Sequence, residues 1–402
     1  DEAKDFTKVS NLAGQTMRLH PHGNTAIEGA IGTLTQDFCG ANNHPLMAGK
    51  GAFGGKILGS GKGIGAARYV SVKVNDFTKK VVFKDSELIQ EIPNYDGEYT
   101  ECENFLPLVP LVLLNGVSGI AVGFATEILP YKLSSIIEHQ VTMLKGKDLD
   151  LKLAPYYKGF LGTIQYNNEL KKYTTTGKFE KTDDFLRITE LPIGLNRESY
   201  IKILDKLIEN DKIKDYEDYS KAEFDFRIYP KIRKQFREMP DDKIVEMFRL
   251  TSTLSQNLTL IDTNNKLRVY DTIYQIISEF TNWRFSFFKK RYEFLHNKLK
   301  KETDWMRNQL EFIIFVLKND YLRKMTQKKV KDIKIELKEQ FANIDELLRI
   351  SISSFSEDRI NELKEKIKEN NLTLSTYYDI INNEDKQKEI YIKELKELKE
   401  EK

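Results

Sequence analysis

Ala66-Ala67-Arg68-Tyr69-Val70 closes a stretch, residues 38–75, that contains no acidic residue. Lys50, Lys56, Lys62, Arg68 and Lys73 lie in that stretch, together with nine of the chain's 22 glycines. Glycine lets a backbone come close to a ligand, and positive charge without local compensation draws a polyanion. An arginine beside a tyrosine at the end of such a loop is placed to neutralise charge developing on a phosphate. Val70, Val72 and Val74 alternate with polar residues just beyond, which predicts a half-buried strand. A cationic glycine loop feeding a strand points to nucleic acid without naming a reaction.

Working outward, Ile27, Ile31 and Leu34 form an apolar face after the His20-Pro21-His22-Gly23 turn, so residues 1–37 read as helical. Residues 40–65 hold too much glycine for regular structure. Alternating Tyr, Ile, Leu and polar residues over 151–192 predict one small sheet, and Ile201, Leu204 and Leu207 predict a helix over 198–208. The character changes near Tyr270. From Ile273, Ile276, Ile277 and Phe280 through Phe288, Tyr292, Leu295, Leu299, Met306, Leu310, Ile313 and Leu317, apolar residues recur at three- and four-residue spacing, with a break near Glu302. That predicts a long coiled-coil arm. Ser356 ahead of Glu357 and Asp358 is a helix start with Ile360, Leu363 and Ile367 on one face. The Lys- and Glu-rich run 388–402, carrying Ile392, Leu395 and Leu398, reads as a return helix.

At 402 residues the chain is long enough for two or three domains with cores of their own, and its formal net charge is only +2. Its basicity is therefore local, as suits a protein gripping a phosphate backbone with one face. Cys39 and Cys102 make neither a disulfide framework nor a metal-ligand pattern, and a reducing cytosol is the expectation. The longest apolar run, 105–114, is broken by Pro107 and Pro110 and is too short to span a bilayer. No signal-peptide pattern opens the chain. Gly49-x-Gly51-x-x-Gly54 lacks the strand before it and the helix after it that a dinucleotide site needs, and Gly61-Lys62-Gly63 lacks the hydroxyl residue of a Walker loop.

The flanking motifs are Leu19-His20-Pro21-His22-Gly23-Asn24-Thr25-Ala26, Phe38-Cys39-Gly40-Ala41-Asn42-Asn43, Gly51-Ala52-Phe53-Gly54-Gly55, Leu114-Asn115-Gly116-Val117-Ser118-Gly119-Ile120-Ala121-Val122-Gly123 and Ile188-Thr189-Glu190-Leu191-Pro192. In this order, with Ala67-Arg68-Tyr69 among them, they resemble the DNA breakage-reunion subunit of the type IIA topoisomerases over nearly the whole chain. Tyr156-Tyr157-Lys158-Gly159-Phe160-Leu161-Gly162-Thr163-Ile164 is similar to the medium subunit of T-even bacteriophages and to the matching half of the eukaryotic enzyme, more than to bacterial gyrase.

The resemblance implies an α+β multidomain fold, with a partial winged-helix DNA-cleavage domain over 1–105, an α/β tower or shoulder domain over 106–270, and a long antiparallel coiled coil with a C-terminal dimer gate over 271–402. It implies that Tyr69 is the nucleophile, forming a phosphotyrosyl link, with Arg68 and His22 on the same phosphate and His20 supporting. A tyrosine hydroxyl, with an ordinary pKa of about 10, is a poor nucleophile without such help. DNA contacts are expected from His20, Thr25, Lys50, Lys56, Lys62 and Lys73. Ile120 is expected to wedge between base pairs and bend the duplex. Asp148-Leu149-Asp150 matches the family's Asp-x-Asp metal cluster in letters only, so no metal ligand is assigned to this chain. Mg²⁺ and ATP are expected on a partner subunit, the other partners being double-stranded DNA and a second copy of the chain. A cytoplasmic, nucleoid-associated location is expected (host cytoplasm if the protein is viral).

Thr25 stands where the family often has a serine, and Gly29 replaces the acid expected four positions later, which puts quinolone sensitivity in doubt. The basic helical segment that precedes the His-Pro-His motif in the family is missing here. The chain, opening on Asp1-Glu2-Ala3-Lys4, is expected to be a fragment, a split gene product or part of a larger subunit. The competing class is a non-enzymatic DNA-binding or chromosome-organising coiled-coil protein.

Overall fold

The computed structural model describes residues 5–147, 152–169 and 172–400. Thr7–Lys8 (β1) leads into Val9–Thr16 (α1), and Asn24–Thr35 (α2) follows the His-Pro-His turn. Two helices replace the single helical stretch expected, because Pro21 disfavours helical backbone at the residue before it and has no N–H to donate. Met47–Lys50 (β2) and Ser71–Val74 (β3) complete a three-stranded antiparallel sheet of order β1-β3-β2. Val9, Ala13, Ile27 and Ile31 pack on Val70 and Val72, giving a winged-helix core. β2 was not legible in the glycine-rich stretch. There Gly49 pairs with Val72 where any Cβ would come within 2.6 Å of the Phe53 ring, so the glycine is what permits the strand. Asp76–Val81 (α3), capped by the Asn75 side chain on Phe77 N–H, and a small hairpin of Glu91–Pro93 (β4) and Thr100–Cys102 (β5) follow.

Leu111–Asn115 (α4) ends at Gly116, whose φ of +73° no side chain tolerates well. Val117–Ala121 (β6) and Phe124–Ile128 (β7) then form an antiparallel hairpin turned at Val122-Gly123, and Leu133–Leu144 (α5) comes next. Thr163–Asn167 (β8), Lys172–Thr176 (β9), Lys178–Lys181 (β10) and Leu186–Glu190 (β11) are the strands expected over 151–192, but they serve two sheets rather than one. Gly177 makes the transfer: its N–H donates to Leu250 O, and a side chain there would strike the Glu190 carbonyl. Arg197–Glu209 (α6) starts at an Asn196/Ser199 capping box.

Asp215–Asp218 (β12), Phe226–Tyr229 (β13), Arg233–Glu238 (α7), Asp241–Met247 (α8) and Thr251–Leu254 (β14) close the sheets as β10-β11-β13-β12 and β14-β9-β8. Their core is Leu186, Ile188, Tyr200, Leu204, Phe226 and Phe248. A last hairpin, Thr259–Ile261 (β15) and Leu267–Val269 (β16), precedes the helical region.

Ile273–Lys318 (α9) is a single 46-residue helix, unbroken at Glu302 where the spacing slips. Tyr321–Met325 (α10), Val330–Leu337 (α11), Ile344–Leu347 (α12), Glu357–Ile381 (α13) and Glu384–Glu400 (α14) follow. The chain divides into two compact units, residues 1–284 with 394–402 and residues 285–393. Within the second, α9 and the returning helices run antiparallel: Thr303 meets Asn370, Tyr292 meets Tyr377 edge to face with ring centroids 5.6 Å apart, and Phe288 lies tilted against Tyr391 at 4.6 Å. Phe312, Val316, Tyr321, Leu337, Phe341 and Leu347 form its separate core. Ser356 caps α13 through Arg359 N–H, as its position predicts.

Candidate functional site

The glycine loop between β2 and β3 takes its shape from Gln36, a fully buried residue just past α2. Its amide nitrogen donates to Phe53 O at 3.0 Å and Lys62 O at 3.2 Å, and its amide oxygen accepts from Gly61 N–H at 2.8 Å. Gly54, Gly61 and Gly63 sit at positive φ between these holds, which is why glycine recurs there. The chain leaves the loop through a turn, Tyr69 N–H donating to Ala66 O at 2.8 Å, and Lys8 Nζ holds Tyr69 O at 2.9 Å. Both backbone groups of Tyr69 are thereby fixed while its side chain stands 67% exposed. The Arg68 guanidinium lies 4.9 Å from the Tyr69 ring centroid, and among the described residues nothing hydrogen-bonds the Tyr69 hydroxyl. A fixed, outward-facing hydroxyl with a cation over its ring is suited to meeting an incoming phosphate.

His20 and His22 lie on the exposed turn ahead of α2 with rings 4.2 Å apart, edge to face, and Thr25 is in the first turn of that helix. Lys50 is exposed at the end of β2 and Lys62 on the loop, 3.9 Å from Glu198. Lys73 leans over the Phe6 ring at 5.2 Å. Lys56 departs from expectation. It is 7% exposed, and its ammonium lies 2.8 Å from Glu190 and 2.7 Å from Glu223, so it is an interior ion pair rather than a surface contact for DNA. Composition showed the lysine but not the carboxylates that the fold brings to it. Glu190 was readable in one respect: along β11 it shares the face of Leu186 and Ile188, and a carboxylate on a buried strand face needs a partner.

The β6–β7 hairpin presents Ile120 at 94% exposure, with Val122 at the turn wholly exposed. A large aliphatic residue so placed contributes almost nothing to the folded core, which is the reverse of the usual reading of an isoleucine. The base of the hairpin is anchored. Asn115 accepts from His44 N–H and donates to His44 O, both at 2.8 Å. Asn43 donates to Leu114 O at 3.1 Å and Tyr156 O at 2.8 Å, and accepts from Lys158 N–H at 2.8 Å. Glu127 of β7 exchanges a backbone hydrogen-bond pair with Asn257. The asparagines of two motifs and the Tyr-Tyr-Lys segment are thus one clamp, a role that sequence reasoning did not assign them.

Burial pushes the Cys39 thiol up to about 12, Glu190 adding to the effect, which disfavours its thiolate at neutral pH. Burial, with Lys158 nearby, holds His44 below its ordinary value. Among the described residues no group of three His, Cys, Asp or Glu side chains could hold a metal ion, and Asp148 and Asp150 lie outside them. Among those residues no helix is long and apolar enough to cross a membrane.

A winged helix carrying an exposed tyrosine beside an arginine, a partly apolar hairpin tip and an antiparallel coiled coil in one chain fit the topoisomerase class. The chain belongs to the family of the A subunit of DNA gyrase/topoisomerase IV, whose model matches residues 1–396. It is 30% identical over 376 residues to the DNA topoisomerase medium subunit of enterobacteria phage T4, covering 90% of this chain and 81% of that one. It is also 30% identical over 382 residues to DNA topoisomerase 2 of Arabidopsis thaliana, covering 91% of this chain but 26% of the relative. The crystal structure of the DNA-binding, cleavage and re-ligation domain of Plasmodium falciparum topoisomerase II superposes with a TM-score of 0.88 at 27% identity, covering 99% of this chain and 58% of that one. The chain spans about a quarter of the length of the eukaryotic relatives.

Proposed function

We propose that the chain is the DNA breakage-reunion subunit of an ATP-dependent type II topoisomerase. The observation that carries the reading is the backbone-fixed, exposed Tyr69 beside Arg68, in a chain of this family. In the proposed step the Tyr69 hydroxyl oxygen attacks a DNA phosphorus. An O–P bond forms to the 5′ phosphate, the P–O3′ bond breaks, and the tyrosine proton ends on the departing 3′ oxygen. The product keeps a phosphodiester, so the freed 3′ hydroxyl reseals the strand by the reverse step. Arg68 offsets charge that grows on the non-bridging oxygens, and His22 with His20 holds the same phosphate from the turn before α2.

Lys50, Lys62 and Lys73, with Thr25, grip the backbone on either side, and Ile120 wedges into the duplex. Lys56 is not among these contacts. Mg²⁺ and ATP belong to a partner subunit; the metal would assist the 3′ oxygen, and the described residues of this chain offer no ligand set for it. Residues 1–105, 106–270 and 271–402 act as cleavage domain, shoulder, and coiled coil with dimer gate. Two copies then break both strands, in the cytoplasm near the nucleoid or in a host cell. The test is to mix the chain with its ATPase partner, Mg²⁺ and end-labelled duplex, quench with detergent and look for protein-linked DNA. An adduct that is lost in Tyr69→Phe is expected. Bound DNA without adduct in the complete complex would leave a non-enzymatic DNA-binding role.

A further inference from the structure

Lys56 is a costly residue to bury unless its charge does something the fold needs. Its ammonium is matched by Glu190, which is 1% exposed and is itself held by Leu161 N–H at 2.9 Å and Leu191 N–H at 3.2 Å. Glu223 completes the group from the loop before β13, its side chain still 64% exposed. Burial pulls the pKa of the Lys56 ammonium down, and its hydrogen bonds to both carboxylates outweigh that and leave it above its ordinary value. One lysine of the glycine loop is thus tied to β11 directly and, through Glu190, to the Tyr-Tyr-Lys-Gly-Phe-Leu segment. One residue further, Ile57 O accepts from Arg197 N–H at 3.0 Å, at the start of α6.

Past these two holds a cleft of about 270 Å³ runs along the loop, lined by Lys56, Gly59 and Ser60 on one side and by Leu191 and Asn196 on the other. Gly59, Gly61 and Gly63 all have positive φ and little conformational preference of their own. Their path to Tyr69 is set by Gln36 on the winged-helix side, by Lys56 and Ile57 on the side of β11 and α6, and within the loop by Gly65 N–H donating to Ala52 O at 2.9 Å.

We infer that Lys56, through its ion pairs with Glu190 and Glu223, is a positioning residue for Tyr69, aligning the nucleophile's loop against the shoulder sheet. This rests on the reading of Tyr69 as nucleophile. Lys56 touches no reacting atom; it acts through the loop, and its loss leaves in place the proposed DNA contacts outside the loop, Lys50 at the end of β2 and Lys73 on β3.

The experiment is single-turnover adduct formation at saturating nicked duplex, with the chain assembled with its ATPase partner, for wild type, Lys56→Met, Lys56→Arg and the double variant Lys56→Met/Glu190→Gln. The double variant removes buried charge of both signs and so remains a usable fold. Unfolded protein lowers only the amplitude of the reaction, whereas a misplaced nucleophile lowers its rate constant. Roughly 10- to 100-fold slower adduct formation is expected in Lys56→Met and in the double variant, with DNA affinity within about twofold of wild type. Lys56→Arg, which can donate to both carboxylates, is expected to recover most of the rate. A wild-type rate constant with reduced amplitude overturns the inference and leaves Lys56 a stabilising residue only. No adduct from wild type removes the reading of Tyr69, and the inference with it.

Discussion

Replacing Ile120 with alanine tests the proposed DNA wedge without disturbing the fold. The side chain is 94% exposed, so truncation forfeits no core packing, and the free protein should keep its stability within about 0.5 kcal/mol. Wedged between base pairs, the same side chain would lose nearly all contact with water. Truncation removes three carbons, and at about 0.8 kcal/mol for each buried methylene equivalent the loss approaches about 2.4 kcal/mol, or roughly fiftyfold in affinity. The loss should be larger for the bent than for the straight complex, because a wedge stabilises only the kinked step. A short duplex labelled at both ends reports bending by energy transfer and binding by anisotropy in one titration. Expected are an unchanged urea midpoint, affinity reduced by ten- to fiftyfold, and end-to-end distance restored toward that of free DNA. Affinity and bending both within about twofold of wild type would refute the argument. A loss of more than about 1 kcal/mol in free-protein stability would refute it from the other side, by returning Ile120 to the core.

Two further outcomes follow from the clamp beneath the hairpin. Asn115→Ala leaves His44 N–H and C=O without their partners and should cost about 2–4 kcal/mol in urea unfolding; a cost under about 1 kcal/mol would mean the clamp is not holding the hairpin. His44 has its pKa depressed in the folded state, so its neutral form contributes stability that is complete above about pH 6.5 and is lost as pH falls through the folded value. His44→Phe preserves the stack on Phe77 and should lose less stability between pH 8 and pH 5 than wild type, with equal slopes counting against His44 as the titrating group.

Much of the site was legible because its parts are local. The turn before α2 follows from Pro21, the helix start at Ser356 from the acids behind it, and the strand after Tyr69 from three alternating valines. The acid-free loop marked itself by composition. What stayed hidden depends on residues far apart in sequence. Lys56 looks like any other lysine of the loop until Glu190 arrives from β11 and Glu223 from the loop before β13. β2 looks like irregular glycine-rich chain until β3 pairs with it. The two sheets could not be told from one because the division rests on Gly177, a single residue with no periodic signature. Ile120 is the opposite case: its exposure contradicts what an isoleucine usually does, and only the surrounding Asn-Gly and Gly-Ile motif suggested it.

Gln36 bonds to three backbone groups of the loop and to no side chain there. On this side the loop's course is therefore specified by a residue outside it, through backbone groups rather than the side chains the loop displays. Exchange of Lys50 or Lys62 for another residue leaves that specification intact, so the exposed cationic surface is free to drift. On the winged-helix side that tolerance is concentrated on one amide. A carboxylate of the same size at position 36 keeps the acceptor for Gly61 and loses the donor for Phe53 and Lys62, so on this side the freedom of the loop rests on the strictness of a single buried position.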